Sequence, residues 1–212
     1  MFKSKTLALF LLKAVVIYAL LALPLSFYDQ LYGDFYRKIA GSFFNTFRET
    51  GLVRFKEGAK PEITHINIGN KDLPRGPGGA IKTLPIDINT RYLGYLPTIL
   101  LISLVVASPV PWKRKLIALA LGLALVTLLV LFKQYISLLW RCDQNPWLQL
   151  TDYGDKGKGL LNSTYHFIAV TSSSVLYFVV AIWLLVTFRL DDFLNKIVAE
   201  TGLKQKSPVR RK

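Results

Sequence analysis

The chain has 212 residues, 52% of them hydrophobic, with 27 Lys/Arg against 13 Asp/Glu and a formal charge of +14. A mean hydropathy of +0.36, carried in four long apolar blocks rather than in periodic stripes, argues against an ordinary soluble domain. The basic residues gather at the ends of those blocks, so the charge points to anionic lipid headgroups on the cytoplasmic side and not to nucleic acid.

The first block runs from about Leu7 to Phe27, behind Lys3 and Lys5, and contains Lys13 and Pro24. At about 20 residues it exceeds the usual h-region of a signal peptide, and no small-x-small site follows it. Residues 1–28 therefore read as an N-terminal tail and an uncleaved first span, with Lys13 close enough to the cytoplasmic end to snorkel. Residues 29–92 read as an extracytoplasmic α+β module. Leu31, Phe35, Ile39, Phe43 and Phe47 recur every four residues, with Asp34, Arg37, Lys38 and Arg48 on other faces. That spacing predicts an amphipathic helix, either flat in the outer interface or serving as the core helix of the module. Val53 and Phe55, then Ile63, Ile66 and Ile68, then Ile86 and Ile88 are interleaved with polar residues. These are short strand signals, bounded by Gly69–Asn70 and by the Pro74–Gly79 turn cluster. Arg91 precedes the next apolar block, with Tyr92 and Tyr95 behind it. It reads as a snorkelling anchor or, with the two tyrosines, as a contact for a membrane partner.

Residues 93–139 read as a hairpin of two spans. The second block, Leu93–Val110, has Pro97 in its first turn, where a missing N–H costs nothing. Pro109 and Pro111 end it, and Trp112-Lys113-Arg114-Lys115 is expected as a tight cytoplasmic turn. The third block runs from Leu116 to about Leu139; its first 17 residues are uncharged, and Lys133 lies near its far end. Residues 140–165 read as a flexible, solvated outer loop. In it Asp143, Asp152 and Asp155 are offset by Lys156 and Lys158, glycines recur at 154, 157 and 159, and the acids lack calcium-loop spacing. Trp140, Trp147, Tyr153 and Tyr165 are expected as interface anchors, and Asn162-Ser-Thr164 fits a glycosylation triplet. The fourth block, 166–188, carries Thr171, Ser172, Ser173 and Ser174, small hydroxyl residues that let a neighbouring helix or a partner approach closely. In the tail, 189–212, Leu190, Phe193, Leu194, Ile197 and Val198 predict an amphipathic helix followed by a basic end.

With both ends in the cytoplasm, the inside segments hold 13 Lys/Arg and three acids, against 10 and seven in 29–92 and four and three in 133–165. Lys113, Arg114 and Lys115, in the shortest connection, carry the strongest vote. The predicted fold class is a mainly α membrane protein: four transmembrane helices, with the small α+β module between the first and second. Cys142 is the sole cysteine, which excludes an internal disulfide, and His65 and His166 form no metal-binding spacing. No metal and no cofactor are expected. Cys142, with Arg141 beside it and His166 on the same side, is the one constellation for nucleophilic chemistry, that of a thiol transpeptidase or protease. The block centres hold no ionisable residue that cannot snorkel, which argues against a transporter or channel component unless self-association through the polar fourth block assembles a pore.

The run Ile86-Asp-Ile-Asn-Thr-Arg-Tyr-Leu-Gly-Tyr-Leu-Pro97 leads into an apolar helix with Ala107 and Pro109, a basic turn and the apolar stretch 116–131. This order resembles the small bacterial integral membrane proteins associated with exosortases, enzymes that sort proteins into the envelope. The resemblance covers residues 84–131, about a quarter of the chain. It implies a multi-pass protein of the bacterial inner (cytoplasmic) membrane with an accessory or assembly role in protein sorting or exopolysaccharide export. The implied partner is a larger membrane enzyme or export complex, and no catalytic residues are implied. A non-enzymatic accessory subunit is the leading expectation; the thiol enzyme and the small transporter are the alternatives.

Overall fold

The computed structural model of the chain describes residues 4–23, 25–76, 79–170 and 172–188. The tail 189–212 with its expected helix, together with Lys3 and Thr171, lies outside the described residues, as do the side chains of Ser172, Ser173 and Ser174. Helix α1 (Ser4–Leu21) is followed by α2 (Ser26–Phe44), which leaves it at 87°. Strands β1 (Gly51–Glu57), β2 (Ile63–Asn70) and β3 (Thr83–Asn89) form an antiparallel meander in that order. β3 runs almost directly into a π-helical turn, Arg91–Tyr95, that continues as α3 (Leu96–Ala107). Next come α4 (Trp112–Asp143), a 3-10 turn at Pro146–Leu148 and α5 (Asp155–Tyr165). A second π turn, His166–Val170, precedes α6 (Ser172–Phe188).

The fold is mainly helical with one small sheet. Among the described residues, α4 is the one helix long and apolar enough to cross a bilayer by itself. Helices α1 and α2 meet that test only as a bent pair, and Arg91–Ala107 and Val175–Phe188 are apolar but shorter.

The strand signals correspond to real strands. Ile66 lies opposite Phe55 and Ile86, and Ile68 opposite Val53 and Leu84. Alternation therefore gathers these side chains on one face. Tyr36 and Phe44 of α2 pack on it, each with its ring centroid 6.0 Å from that of Phe55. Tyr135 of α4 stacks on Phe44 from the other side. The opposite sheet face carries Arg54, Lys56 and the cross-strand pair His65–Asp87, 2.6 Å from Nδ1 to Oδ1.

Of the two orientations expected for α2, the one that turns its regular apolar row into a core is not the one found. The helix buries Asp29, Gly33, Tyr36, Ala40 and Phe44, while Leu31, Phe35 and Phe43 stay exposed. The apolar row read from the spacing is thus the outward one. The inward row mixes small and aromatic residues, because the sheet comes close and leaves little room for branched side chains. Phe47, expected on the same row, lies past the helix end and is buried.

Helix α4 buries a row at intervals of four, Ala118, Gly122, Val126, Val130, Gln134, Leu138 and Cys142. Leu116, Ile117, Leu121, Leu125, Leu128 and Phe132 point away from the protein. Gly122 is the point of closest approach to α3: a Cβ there would lie 2.8 Å from a methyl of Leu101.

Three boundaries differ from expectation. Gly69 and Asn70, expected as a turn, instead complete β2 opposite Leu52 and Gly51. The α3–α4 connection is Ser108–Pro111, and Trp112–Lys115 already form the first turn of α4. The two prolines cannot extend α3, whereas Pro111 can precede a new helix. Lys115 then reaches back, its Nζ donating to the Val106 carbonyl at 2.5 Å. The segment 140–165 is largely helical, against the expectation of a flexible loop: its first four residues finish α4, Pro146–Leu148 form the 3-10 turn and Asp155–Tyr165 form α5. Asp155 sits in its first turn, where the helix dipole favours a carboxylate, and Leu161 is buried. Gly157 and Gly159 weaken the helix signal in the sequence without preventing the helix, since docking of Leu161 offsets their backbone entropy.

Gly94 in the first π turn has no room for a side chain: a Cβ would meet the Tyr32 hydroxyl at 2.0 Å and Val130 at 3.2 Å. Gly94→Ala is expected to cost about 1–3 kcal/mol by overpacking and to lower the melting temperature of the detergent-solubilised protein. Combining it with Tyr32→Phe should recover part of the loss in the same melting experiment.

Candidate functional site

Two places concentrate polar side chains inside an otherwise apolar chain. The first is the elbow between α1 and α2. The last carbonyls of a helix lack intrahelical partners and carry partial negative charge. At the end of α1, Leu21 O accepts from the Tyr95 hydroxyl at 2.6 Å, and Ala22 O accepts from Arg91 Nη2 at 2.5 Å. Arg91 Nη1 also donates to both carboxylate oxygens of Asp29, at 2.9 and 2.8 Å. Both partners are well shielded, with side chains 14% and 9% exposed. The Arg91 guanidinium carbon lies 5.8 Å from the Tyr95 ring centroid. Arg91 is held from below by Asn89, whose Oδ1 accepts from its backbone N–H at 3.0 Å. Thr90 fixes the strand end through its N–H and hydroxyl, both donated to the Glu62 carbonyl. Arg91 thus closes an intramolecular clamp; its guanidinium is committed to protein acceptors. Asp29, invisible as a partner in the sequence, completes it.

The second place is a groove of about 470 Å³ along α4. Lys133, Gln134, Ser137 and Arg141 line it from α4, and Asn89 and Tyr92 line it from the β3–α3 junction. Leu93, Leu96, Pro97, Val175 and Leu176 make its apolar walls. Lys133, Ser137 and Arg141 are spaced by four, so they rise along one helix face. Ser137 Oγ donates to the Lys133 carbonyl at 3.0 Å. Arg141 lies over the Trp140 ring at 5.6 Å, and Trp140 stacks on Tyr165 at 4.2 Å. Of the expected partner-contact residues, Tyr92 is in this groove and is 68% exposed, while Arg91 and Tyr95 belong to the clamp. From the sequence Lys133 reads only as a charge near the end of the third block, and Gln134 and Ser137 carry no signal, although Lys133, Ser137 and Arg141 share one helical spacing.

The anchoring residues divide as well. Trp112 is exposed beside Lys115, as is Lys113 next to Arg114. Trp140 and Trp147 are engaged with protein rather than free. Trp140 Nε1 donates to Asn162 Oδ1 at 3.2 Å, and Lys82 Nζ lies 4.5 Å from the Trp147 ring centroid. Tyr153 takes a hydrogen bond from Arg48.

Cys142 lies beyond the apolar stretch 116–139, in the last turn of α4, and is 1% exposed. It packs in a core that also holds Leu138, Leu139, Leu148 and Leu150. Burial pushes its thiol up to about 12, against the pull of Arg48. Arg141, proposed from sequence to activate it, lies instead over Trp140 and along the groove. His166 begins the second π turn. A buried thiol with a raised pKa is poorly suited to nucleophilic attack. Among the described residues no group of three His, Cys, Asp or Glu could hold a metal ion.

No known protein family, no curated protein and no solved structure matches this chain.

Arg91→Ala leaves Asp29 shielded without a counter-charge and is expected to cost about 3 kcal/mol of stability. A double-mutant cycle with Asp29→Asn, followed by thermal unfolding in detergent, should return a coupling between the two. For Cys142, the raised pKa keeps the thiol protonated at neutral pH. Maleimide labelling of the folded protein should be slow and should climb about tenfold per pH unit without levelling off below pH 10. Denaturation should make it fast.

Proposed function

We propose that this chain is a non-enzymatic accessory subunit embedded in a bacterial inner membrane. It would cross four times with both ends in the cytoplasm and present its three-stranded module to a larger membrane enzyme or export complex. The observation that carries this reading is the outward-facing apolar surface of α1, α4 and α6. Leu12, Val15, Leu20, Leu128, Leu184 and Leu185 are all about half exposed or more. Only 28% of the most apolar 18 residues of α4 are buried, far too little for the core helix of a soluble protein. Water would disfavour so much contiguous apolar surface; lipid does not.

Lengths are compatible with this arrangement. The 18 residues of α1 give about 27 Å at the helical rise, and the 17 residues of Arg91–Ala107 about 26 Å. The hydrocarbon core is about 30 Å, and local thinning or snorkelling absorbs a few ångströms. The 87° bend suits an α2 lying flat in the outer interface, with Phe27, Leu31, Phe35 and Phe43 exposed toward lipid. Lys113 and its basic neighbours then hold the opposite end of α4 in the cytoplasm. The link to exosortase-type sorting or exopolysaccharide export rests on the resemblance of residues 84–131. The thiol-enzyme alternative loses support from the burial of Cys142.

Alkaline phosphatase fused after Arg75 should be active and the same reporter fused after Lys115 inactive; the reverse pattern would overturn the proposed topology. In-cell crosslinking from Tyr92 or the exposed sheet face should recover a multi-spanning membrane protein. Recovery of none above background would remove the accessory role.

A further inference from the structure

The groove beside α4 has a chemical bias that the accessory role does not explain. None of its lining residues is an Asp or Glu, yet two cations, Lys133 and Arg141, face it. Neither is in an ion pair among the described residues, whose salt bridges are Arg37–Asp34, His65–Asp87 and Arg91–Asp29. Gln134 is only 3% exposed, lines the groove, and its amide makes no hydrogen bond among the described residues. Lysine, arginine and the glutamine NH2 are donors. The amide nitrogen of Asn89 adds another, since its oxygen is already taken by the Arg91 N–H. The groove is therefore rich in donors and short of acceptors, so the ligand that suits it is an anion able to accept several hydrogen bonds. Phosphate does this.

Position decides what carries the phosphate. Residues 116–132 hold no charge, and 17 residues of helix span about 26 Å, close to the hydrocarbon thickness. With Lys113–Lys115 at the inner surface, Lys133 falls at the outer edge of the hydrocarbon. Arg141, eight residues on, stands about 12 Å further out. That interval is the headgroup layer. The groove's other walls, Leu93, Leu96, Val175 and Leu176, are apolar, and Leu176 is also exposed on the outer surface of α6. A chain attached to the phosphate would thus have an apolar path.

We propose that this groove binds the phosphate headgroup of an outer-leaflet lipid, with Lys133 and Gln134 donating to the phosphate at the hydrocarbon edge, Arg141 supplying positive charge further out along the groove, and α3 and α6 flanking the hydrocarbon chain. The proposal rests on the membrane placement described above.

The test uses the full-length protein in a neutral detergent. It is titrated with short-chain phosphatidic acid, with phosphatidylcholine of the same chain length, and with inorganic phosphate, and thermal stability is the readout. Phosphatidic acid should stabilise saturably and bind at least about tenfold more tightly than phosphatidylcholine, as expected for two cations near a headgroup. Lys133→Gln with Arg141→Gln should abolish that preference, whereas Lys60→Gln with Lys71→Gln, equal in charge, exposed and outside the groove, should keep it. Should the groove double variant fail to fold, Ser137→Trp fills the groove with both cations in place and should likewise lose the phosphatidic acid response. Equal binding of the two lipids, or an unchanged preference in the groove variants, overturns the proposal. Displacement of phosphatidic acid by millimolar inorganic phosphate would assign the site to the free anion and overturn the lipid assignment. Failure of the membrane placement itself would look different: protein recovered from the aqueous fraction without detergent.

Discussion

The architecture depends on where one guanidinium is anchored. Arg91 stands where the sheet hands over to the helices, and its acceptors lie on the two helices that precede the sheet in the chain. Asp29 opens α2, and Ala22 closes α1. One side chain therefore neutralises a shielded carboxylate and caps a helix C-terminus at the same time. Both tasks favour arginine over lysine, because the planar fork can serve two directions at once. Without it, the Ala22 carbonyl would lose its donor and the shielded Asp29 carboxylate its counter-charge. Tyr95 takes the adjacent carbonyl, and Gly94 lets Tyr32 close the space beneath.

From that anchor the remaining contacts follow a gradient of polarity. At the sheet end, contacts are mixed: Asn70 Nδ2 donates to the Leu148 carbonyl at 2.8 Å, and Arg48 reaches Tyr153. Along the middle of α4 small residues let α3 approach closely, at Gly122 above all. At the far end polarity returns in the α3–α4 connection. Trp183 Nε1 donates to Ser108 Oγ at 3.0 Å, Ser108 Oγ donates to the Leu104 carbonyl, and Phe10 stacks on Trp183. Hydrogen bonds between elements are thus concentrated at the two ends, with close packing between them, an arrangement suited to a lipid solvent in which apolar surfaces gain little by meeting one another.

Much of this was legible from residue order, for identifiable reasons. The strands announced themselves because Ile66, Ile68, Ile86 and Ile88 alternate on a half-buried face. The apolar course of α4 was plain because nothing charged interrupts residues 116–132. What stayed hidden needed the third dimension. Helix α2 offers two rows, and spacing alone leaves open whether Leu31, Phe35 and Phe43 turn inward or outward, whereas the row that is buried is Gly33, Tyr36, Ala40 and Phe44. Helix α5 was obscured by its glycines. Arg91 was noticed, but Asp29 lies 62 residues away, and no local pattern links them. In the groove, Tyr92 and Arg141 were named for other reasons, while Gln134 is silent as a letter and becomes informative only once its burial is known.

The wide turn at Arg91–Tyr95 has a consequence for how this chain tolerates length changes. A π turn holds one residue more than the α turn it replaces, and each residue of a helix advances the azimuth by about 100°. Deleting a single position between 91 and 95 would be absorbed by reverting to ordinary α geometry, leaving α3 in place but re-aiming the residues within the turn itself. The arginine that closes the elbow and the tyrosine that opens onto the groove would no longer face their separate tasks together. Insertions and deletions, often harmless at a strand-to-helix crossing, should therefore be selected against here, and the length of this five-residue segment should be held more strictly than most of its letters.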